Sequence, residues 1–96
     1  MAAYVIAEVE VRNADSYAAA YSQHVRATIE RYGGRFLVRG GPVDVVEGDW
    51  DPPRLVILEF ETMERARDWY NSDEYQAILP GRQQHARSNV IMVQGA

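Results

Sequence analysis

The chain has 96 residues, a formal net charge of −4 and no cysteine. That length suits one domain, residues 1–96, with a modest core. The acidic balance argues against nucleic acid, whose binding rests on a basic face, and the lack of thiols excludes disulfides, thiolate metal sites and cysteine nucleophiles.

The N-terminus enters a strand pattern directly, with no basic and then apolar leader, and no apolar run approaches the roughly 20 residues of a membrane span. A cytoplasmic protein without a membrane partner is expected. Tyr4-Val5-Ile6-Ala7-Glu8-Val9-Glu10-Val11 reads as the first strand. Asn13 or Asp15 can cap a helix from Ala14 to Tyr32. Its apolar stripe is Tyr17, Tyr21, Val25, Thr28, Ile29 and Tyr32, spaced by three or four, and Gly33-Gly34 supplies the left-handed stop. Arg35 to Arg39 follow as a second strand. Gly40-Gly41-Pro42 is a turn, Val43 to Glu47 alternates as a short extra strand, and Gly48 to Pro53 is a loop that carries Trp50.

Leu55 to Phe60 is the third main strand. Thr62 caps a helix carrying Ala66, Trp69 and Tyr70; Asn71-Ser72 breaks it, and Ser72 caps a new turn. Pro80-Gly81 predicts a further interruption, with Arg82 to Arg87 as a last helical turn before a strand from Asn89 to Val93. Strand, helix, strand, twice over, predicts an α+β ferredoxin-like βαββαβ fold. Its antiparallel sheet has both helices on one face and strands one and three in the centre.

Strand alternation separates the two faces of that sheet. Val5, Ala7, Val9, Val11, Phe36, Val38, Val56, Leu58 and Phe60 form an apolar set that should meet the helices. The opposite set mixes Tyr4, Ile6, Leu37, Leu55 and Ile57 with Glu8, Glu10, Arg35, Arg39 and Glu59. Such a face is too apolar for water and too charged for a closed core. A second copy packed sheet to sheet over a partly polar cavity satisfies both constraints, so a homodimer is predicted. Two Arg–Glu pairs are available there, Glu8 with Arg39 and Glu59 with Arg35 beside Tyr4.

The candidate chemistry follows from residue type. Arg39 can hold an oxyanion, because a guanidinium tolerates burial and grips oxygen bidentately. His24, on the edge of the first helical stripe, is the candidate general base, and Glu59 the alternative proton carrier. Tyr4, Tyr21, Trp50, Tyr75 and Arg82 are the candidate ligand contacts, with Trp50 also suited to locking the dimer. His24 and His85 lie far apart in sequence, without the spacing of a metal site, so no metal and no cofactor is expected. RNA recognition would need aromatic residues on the open face, where only Tyr4 is available.

Several segments together resemble one known family: Tyr4-Val5-Ile6, the Tyr17 to Tyr21 helix, Gly33-Gly34-Arg35-Phe36-Leu37-Val38-Arg39-Gly40-Gly41, Glu47-Gly48-Asp49-Trp50, Pro53 to Phe60, Ala66 to Tyr75, and Arg82. By these the chain resembles the domain of unknown function 1330 family, in the dimeric α/β-barrel superfamily. The resemblance covers nearly the whole length and implies a ferredoxin-like protomer that dimerises through its sheet. Superfamily relatives include cofactor-free monooxygenases, isomerases of small cyclic molecules and haem peroxidases, a breadth that fixes no activity.

Two functions remain open on the sequence. One is a cavity that binds a small organic molecule, with cofactor-free acid/base or oxygenase-type chemistry. The other is a non-enzymatic homodimeric binding or stress-related module whose Arg–Glu pairs are structural. A pocket in which Arg39 and His24 converge favours the first; Arg–Glu pairs closed on one another without a void favour the second.

Overall fold

In a computed structural model all residues from Met1 to Ala96 are described. Strand β1 (Ala3–Val11) pairs antiparallel along its whole length with β4 (Ala86–Gln94), from Ala3 opposite Gln94 to Val11 opposite Ala86. On its other side β1 pairs with β3 (Leu55–Phe60), which in turn pairs with β2 (Arg35–Arg39). The order is β2-β3-β1-β4, with β1 and β3 central as the alternation requires.

The first helical segment starts where Asn13 Oδ1 accepts the Ser16 amide at 3.0 Å. It is not one regular helix. Helix α1 (Ala14–Tyr17) widens into a π-helical turn (Ala18–Ser22) before α2 (Gln23–Arg31). Gly33 then takes φ +77° and ends it, a conformation that costs a residue without a Cβ little. Helix α3 (Met63–Tyr70) is capped by the Thr62 hydroxyl, and α4 (Asp73–His85) by the Ser72 hydroxyl, each accepting an amide in the next turn.

Two sequence expectations give way here. Pro80-Gly81 does not interrupt α4, and the chain passes from His85 directly into β4 with no separate turn. Proline inside a helix costs about 3 kcal/mol; burial of Leu79 and Arg82 on either side holds the segment helical against that cost. Gly81 lets α4 lie against the π turn, since a Cβ there would stand 2.6 Å from the Ala20 carbonyl oxygen. The second departure is Val43 to Glu47, which forms no strand. No neighbouring strand pairs with the segment, so the ladder bonds that would fix a strand are missing.

The core lies between the helices and one face of the sheet. Tyr75, Phe60 and Ile29 are its largest fully buried side chains, and Trp69 packs among them, 4.2 Å from the Tyr75 ring and 5.4 Å from Phe60 by centroid.

One irregularity in β2 decides where the charges go. Phe36 faces Leu58 in register, but the next pair is Val38 with Ile57, leaving Leu37 as the extra residue of a β-bulge. A bulge shifts the pleat by one position. Val38 therefore joins the open face, and Arg39, opposite Val56, turns to the helix face. The open face then carries an apolar row across all four strands, Val38, Ile57, Ile6 and Ile91. A polar row, Arg35, Glu59 and Tyr4, lies on one side of it, and Glu8 with Asn89 on the other. Ile91 is 59% and Leu37 45% exposed in the protomer.

Candidate functional site

Between the sheet and the helices lies a cavity of about 50 Å³. Its floor is Val5, Ala7 and Val9 of β1 with Val56, Leu58 and Val90 of the flanking strands; Tyr17, Tyr21, Val25, Ile29, Trp69 and Tyr75 roof it from the helices. Into this apolar setting project three arginines, Arg39, Arg54 and Arg82, and the lining holds neither a carboxylate nor a histidine. The ion pairs of the chain, Arg26–Glu30, Arg31–Glu74 and Arg35–Glu59, leave all three out.

Each arginine reaches the cavity from a different element. Arg39 comes from the bulged end of β2, its guanidinium 4.3 Å over the Phe36 ring, and donates through Nη2 to the Ser22 carbonyl oxygen at 3.1 Å. It is the exposed member, at the mouth. Arg54 immediately precedes β3, and its carbonyl oxygen accepts the Val9 amide at 2.8 Å. Its Nε is buried and makes no hydrogen bond. Arg82 comes from α4 and is only 7% exposed; it donates through Nη1 to the Ser88 hydroxyl and lies 5.8 Å from the Tyr21 ring centroid. The Tyr21 and Tyr75 hydroxyls are 2.8 Å apart and satisfy each other.

Burial pushes the Tyr21 hydroxyl far above the ordinary phenol range, with Tyr75 adding to the shift, and raises Tyr17 as well against the pull of Arg54 and Arg82. These phenols are therefore donors near neutrality, not bases. Burial lowers Arg39, helped by repulsion from Arg26 and Arg54. For Arg82, burial also disfavours the cation, but Tyr75 and Tyr21 more than offset it and the pKa is raised. The cavity is thus a site of fixed positive charge with hydrogen-bond donors.

Of the residues singled out in the sequence, Arg39, Tyr21, Tyr75 and Arg82 meet in this cavity. The others stand apart. His24 is exposed on α2 with Nε2 2.9 Å from the Ala19 carbonyl oxygen, and it does not line the cavity with Arg39. Glu59 lies on the open face and binds Arg35, at 2.7 Å to Nη2 and 2.8 Å to Nε, with Tyr4 opposite it in register. The Glu8–Arg39 pair does not form, because the bulge sends Arg39 to the other face. Glu8 instead accepts from Trp50 Nε1 at 2.8 Å and Asn89 Nδ2 at 3.0 Å, and these bonds hold its carboxyl below the usual range. Trp50, 61% exposed, thereby lies on the open face beside Ile6, Leu55 and Ile91 and not in the cavity.

Arg54 and Tyr17 were not among the residues predicted for the site. Arg54 was within reach of the alternation, since it shares parity with Val56, Leu58 and Phe60; Tyr17 sits four residues before Tyr21 on the same helical stripe.

Comparison with known proteins supports the fold. The RPA0582 protein of unknown function from Rhodopseudomonas palustris superposes with a TM-score of 0.76 at 19% identity, covering 99% of this chain and 82% of its own. SnoaB, a cofactor-independent oxygenase from Streptomyces nogalater, gives 0.67 at 7% identity over 99% and 93%. An uncharacterized NIPSNAP domain protein from Burkholderia xenovorans gives 0.58 at 10% over 100% and 95%. No curated protein matches the chain in sequence. At these identities the likeness is one of fold, that of the ferredoxin-like dimeric α/β-barrel proteins. The profile of the family described as Domain of unknown function (DUF1330) matches residues 2–96, and the chain belongs to that family.

Proposed function

We propose that the chain is a homodimeric protein that binds a small anionic organic molecule in the cavity between sheet and helices. The observation that carries this reading is the set of three guanidiniums converging on an apolar cavity with no carboxylate among its lining. A buried cation without a counter-charge is costly, and an anionic ligand would offset that cost. Because the lining holds no histidine or carboxylate, the cavity offers charge and donors but no group that takes a proton at neutral pH. This favours capture of an anion already formed in solution over proton abstraction by His24 or Glu59. Oxygenase-type chemistry, the activity that SnoaB's name records, would draw on the same stabilisation of a bound anion.

The test is a thermal-shift titration with benzoate and phenylphosphonate against neutral benzamide. Both anions should raise the melting midpoint with concentration, by roughly 2.7 kcal/mol of added stability at a hundred times the dissociation constant, and benzamide should not. Equal shifts from benzamide, or no shift from either anion, would refute the reading.

The homodimer reading rests on the apolar row Val38, Ile57, Ile6 and Ile91, which crosses the whole sheet and, with Trp50 at one side of it, stays partly exposed in the protomer. Two such rows packed face to face remove it from water. Placing a carboxylate in that row by Ile57→Asp should convert the protein to monomer on size-exclusion chromatography with its far-ultraviolet circular dichroism retained. An unchanged elution volume would show that the sheet face is not the contact.

A further inference from the structure

The three arginines of the cavity are divided between two places. On the anion-binding reading above, on which this inference rests, that division bears on how many charges the ligand carries. Two of the three stand together at the mouth. The Arg39 guanidinium lies 4.3 Å over the Phe36 ring, and that of Arg26, from α2, lies 5.0 Å from the same ring. Arg54 joins them from the start of β3. Its Nη1 packs against Gly40, the residue after Arg39, where an added Cβ would stand 2.7 Å from it. Burial and then repulsion from Arg26 and Arg54 lower the Arg39 pKa, the behaviour of cations crowded together. Glu30 is the one carboxylate in ion-pair contact with any of them, 4.0 Å from Arg26, and both of those side chains are open to screening by solvent.

Arg82 is held elsewhere. Its Nη1 donates to the Ser88 hydroxyl of β4, and the Tyr75 and Tyr21 phenols lie against it. The sheet register fixes how these anchors are spaced. Gly40 donates to the Leu55 carbonyl, Leu55 faces Glu8, and Glu8 faces Asn89, the neighbour of Ser88. Gly40 and Ser88 are therefore at the two edges of the sheet, at the same end of it. With strands about 4.8 Å apart, three steps separate their backbones by roughly 14 Å. Arg54 is anchored at one edge and Arg82 at the other, and the lining between is apolar, with Val9 and Val56 in the floor and Tyr17 in the roof. Burial raises the Tyr17 hydroxyl, and Arg54, Arg82 and Arg39 each pull it back, so the phenol feels both groups of cations.

We propose that the site takes a dianion with an acidic group at each end of an apolar body, of the class of the α,ω-dicarboxylates. One acidic group meets Arg82 inside, the other meets Arg39, Arg54 and Arg26 at the mouth, and the body lies along the apolar lining between. A monoanion answers only one of the two groups of cations and leaves the other without a counter-charge. The formal net charge of −4 disfavours a second negative charge elsewhere on the molecule, so any gain from adding one has to come from these arginines.

Isothermal titration of the full chain with adipate, and separately with hexanoate, tests this, since the two share a chain length and differ by one carboxylate. Adipate should bind the wild type roughly tenfold or more tightly than hexanoate, the usual scale for a hydrogen bond to a charged group. Arg39→Gln can still donate to the Ser22 carbonyl but carries no charge at the mouth. It should cut the preference for adipate to within about twofold, because the contact worth that tenfold is withdrawn. Arg82→Met should weaken both ligands. A melting midpoint of ligand-free Arg39→Gln near that of the wild type confirms its folding, and the wild-type comparison stands whatever the variants do. Adipate that binds no tighter than hexanoate, failure of both to bind included, overturns the two-charge ligand. So does a folded Arg39→Gln protein that keeps the full preference. In either event the benzoate titration above decides by itself whether anion binding stands.

Discussion

Trp69→Ala should cost the protein about 3–5 kcal/mol, the range for emptying a buried large aromatic position, out of a total stability of about 5–15 kcal/mol typical of such domains. The indole is 2% exposed and is shared by Phe60, Tyr70 and Tyr75, with centroid separations of 5.4, 6.2 and 4.2 Å. Its Nε1 also donates to the Thr28 hydroxyl at 3.0 Å, which itself donates to the Val25 carbonyl at 2.7 Å. Alanine therefore opens a void where α3, α4 and the sheet meet and strips a donor from α2. Urea unfolding should show a much lower midpoint, with the phenylalanine variant intermediate because it restores volume but not the N–H. A midpoint within 1 kcal/mol of wild type at roughly unchanged slope would contradict this account of the core.

Arg82→Met should do the reverse to stability and weaken ligand capture. Arg82 is a buried cation whose partners are the Ser88 hydroxyl and the phenols of Tyr75 and Tyr21, with no carboxylate in ion-pair contact. Exchanging buried charged groups for apolar side chains of similar volume is often neutral or stabilising by about 1–4 kcal/mol, and methionine adapts readily to the space. The variant should melt at a higher temperature by scanning calorimetry. Its affinity for benzoate should fall by roughly 10–100-fold, since a bond or charge contact to an anion is withdrawn from a dry site. Stability given up for a charge is the usual mark of a functional position. A variant that is less stable and binds benzoate as before would make Arg82 a structural residue.

Much of the architecture was legible in the chain. The period-two runs Val5, Ala7, Val9 and Val56, Leu58, Phe60 located the core face of the two central strands, and Asn13, Thr62, Ser72 and Gly33 marked helix ends by chemistry that acts within a few residues. What escaped depended on contacts between distant segments. Pro80 continues its helix because Leu79 and Arg82 are buried against other elements. The 43–47 run lacks a strand to pair with, which alternation alone cannot reveal. Arg39 was placed on the wrong face because the bulge at Leu37 is a property of the β2–β3 ladder, invisible to a strand read by itself. The candidate site was half visible: Arg39, Tyr21, Tyr75 and Arg82 were named, but His24 and Glu59 were joined to them by residue type rather than by place.

The displaced pleat at Leu37 has a wider consequence. Drawing Leu37 into a regular ladder would return β2 to even phase and turn Arg39 out of the cavity onto the open sheet face, with Val38 moving to the helix side; deleting Leu37 would instead keep both pairings and leave Arg39 where it is. The charge within the cavity and the character of the open face are therefore coupled through one irregularity of the β2–β3 ladder.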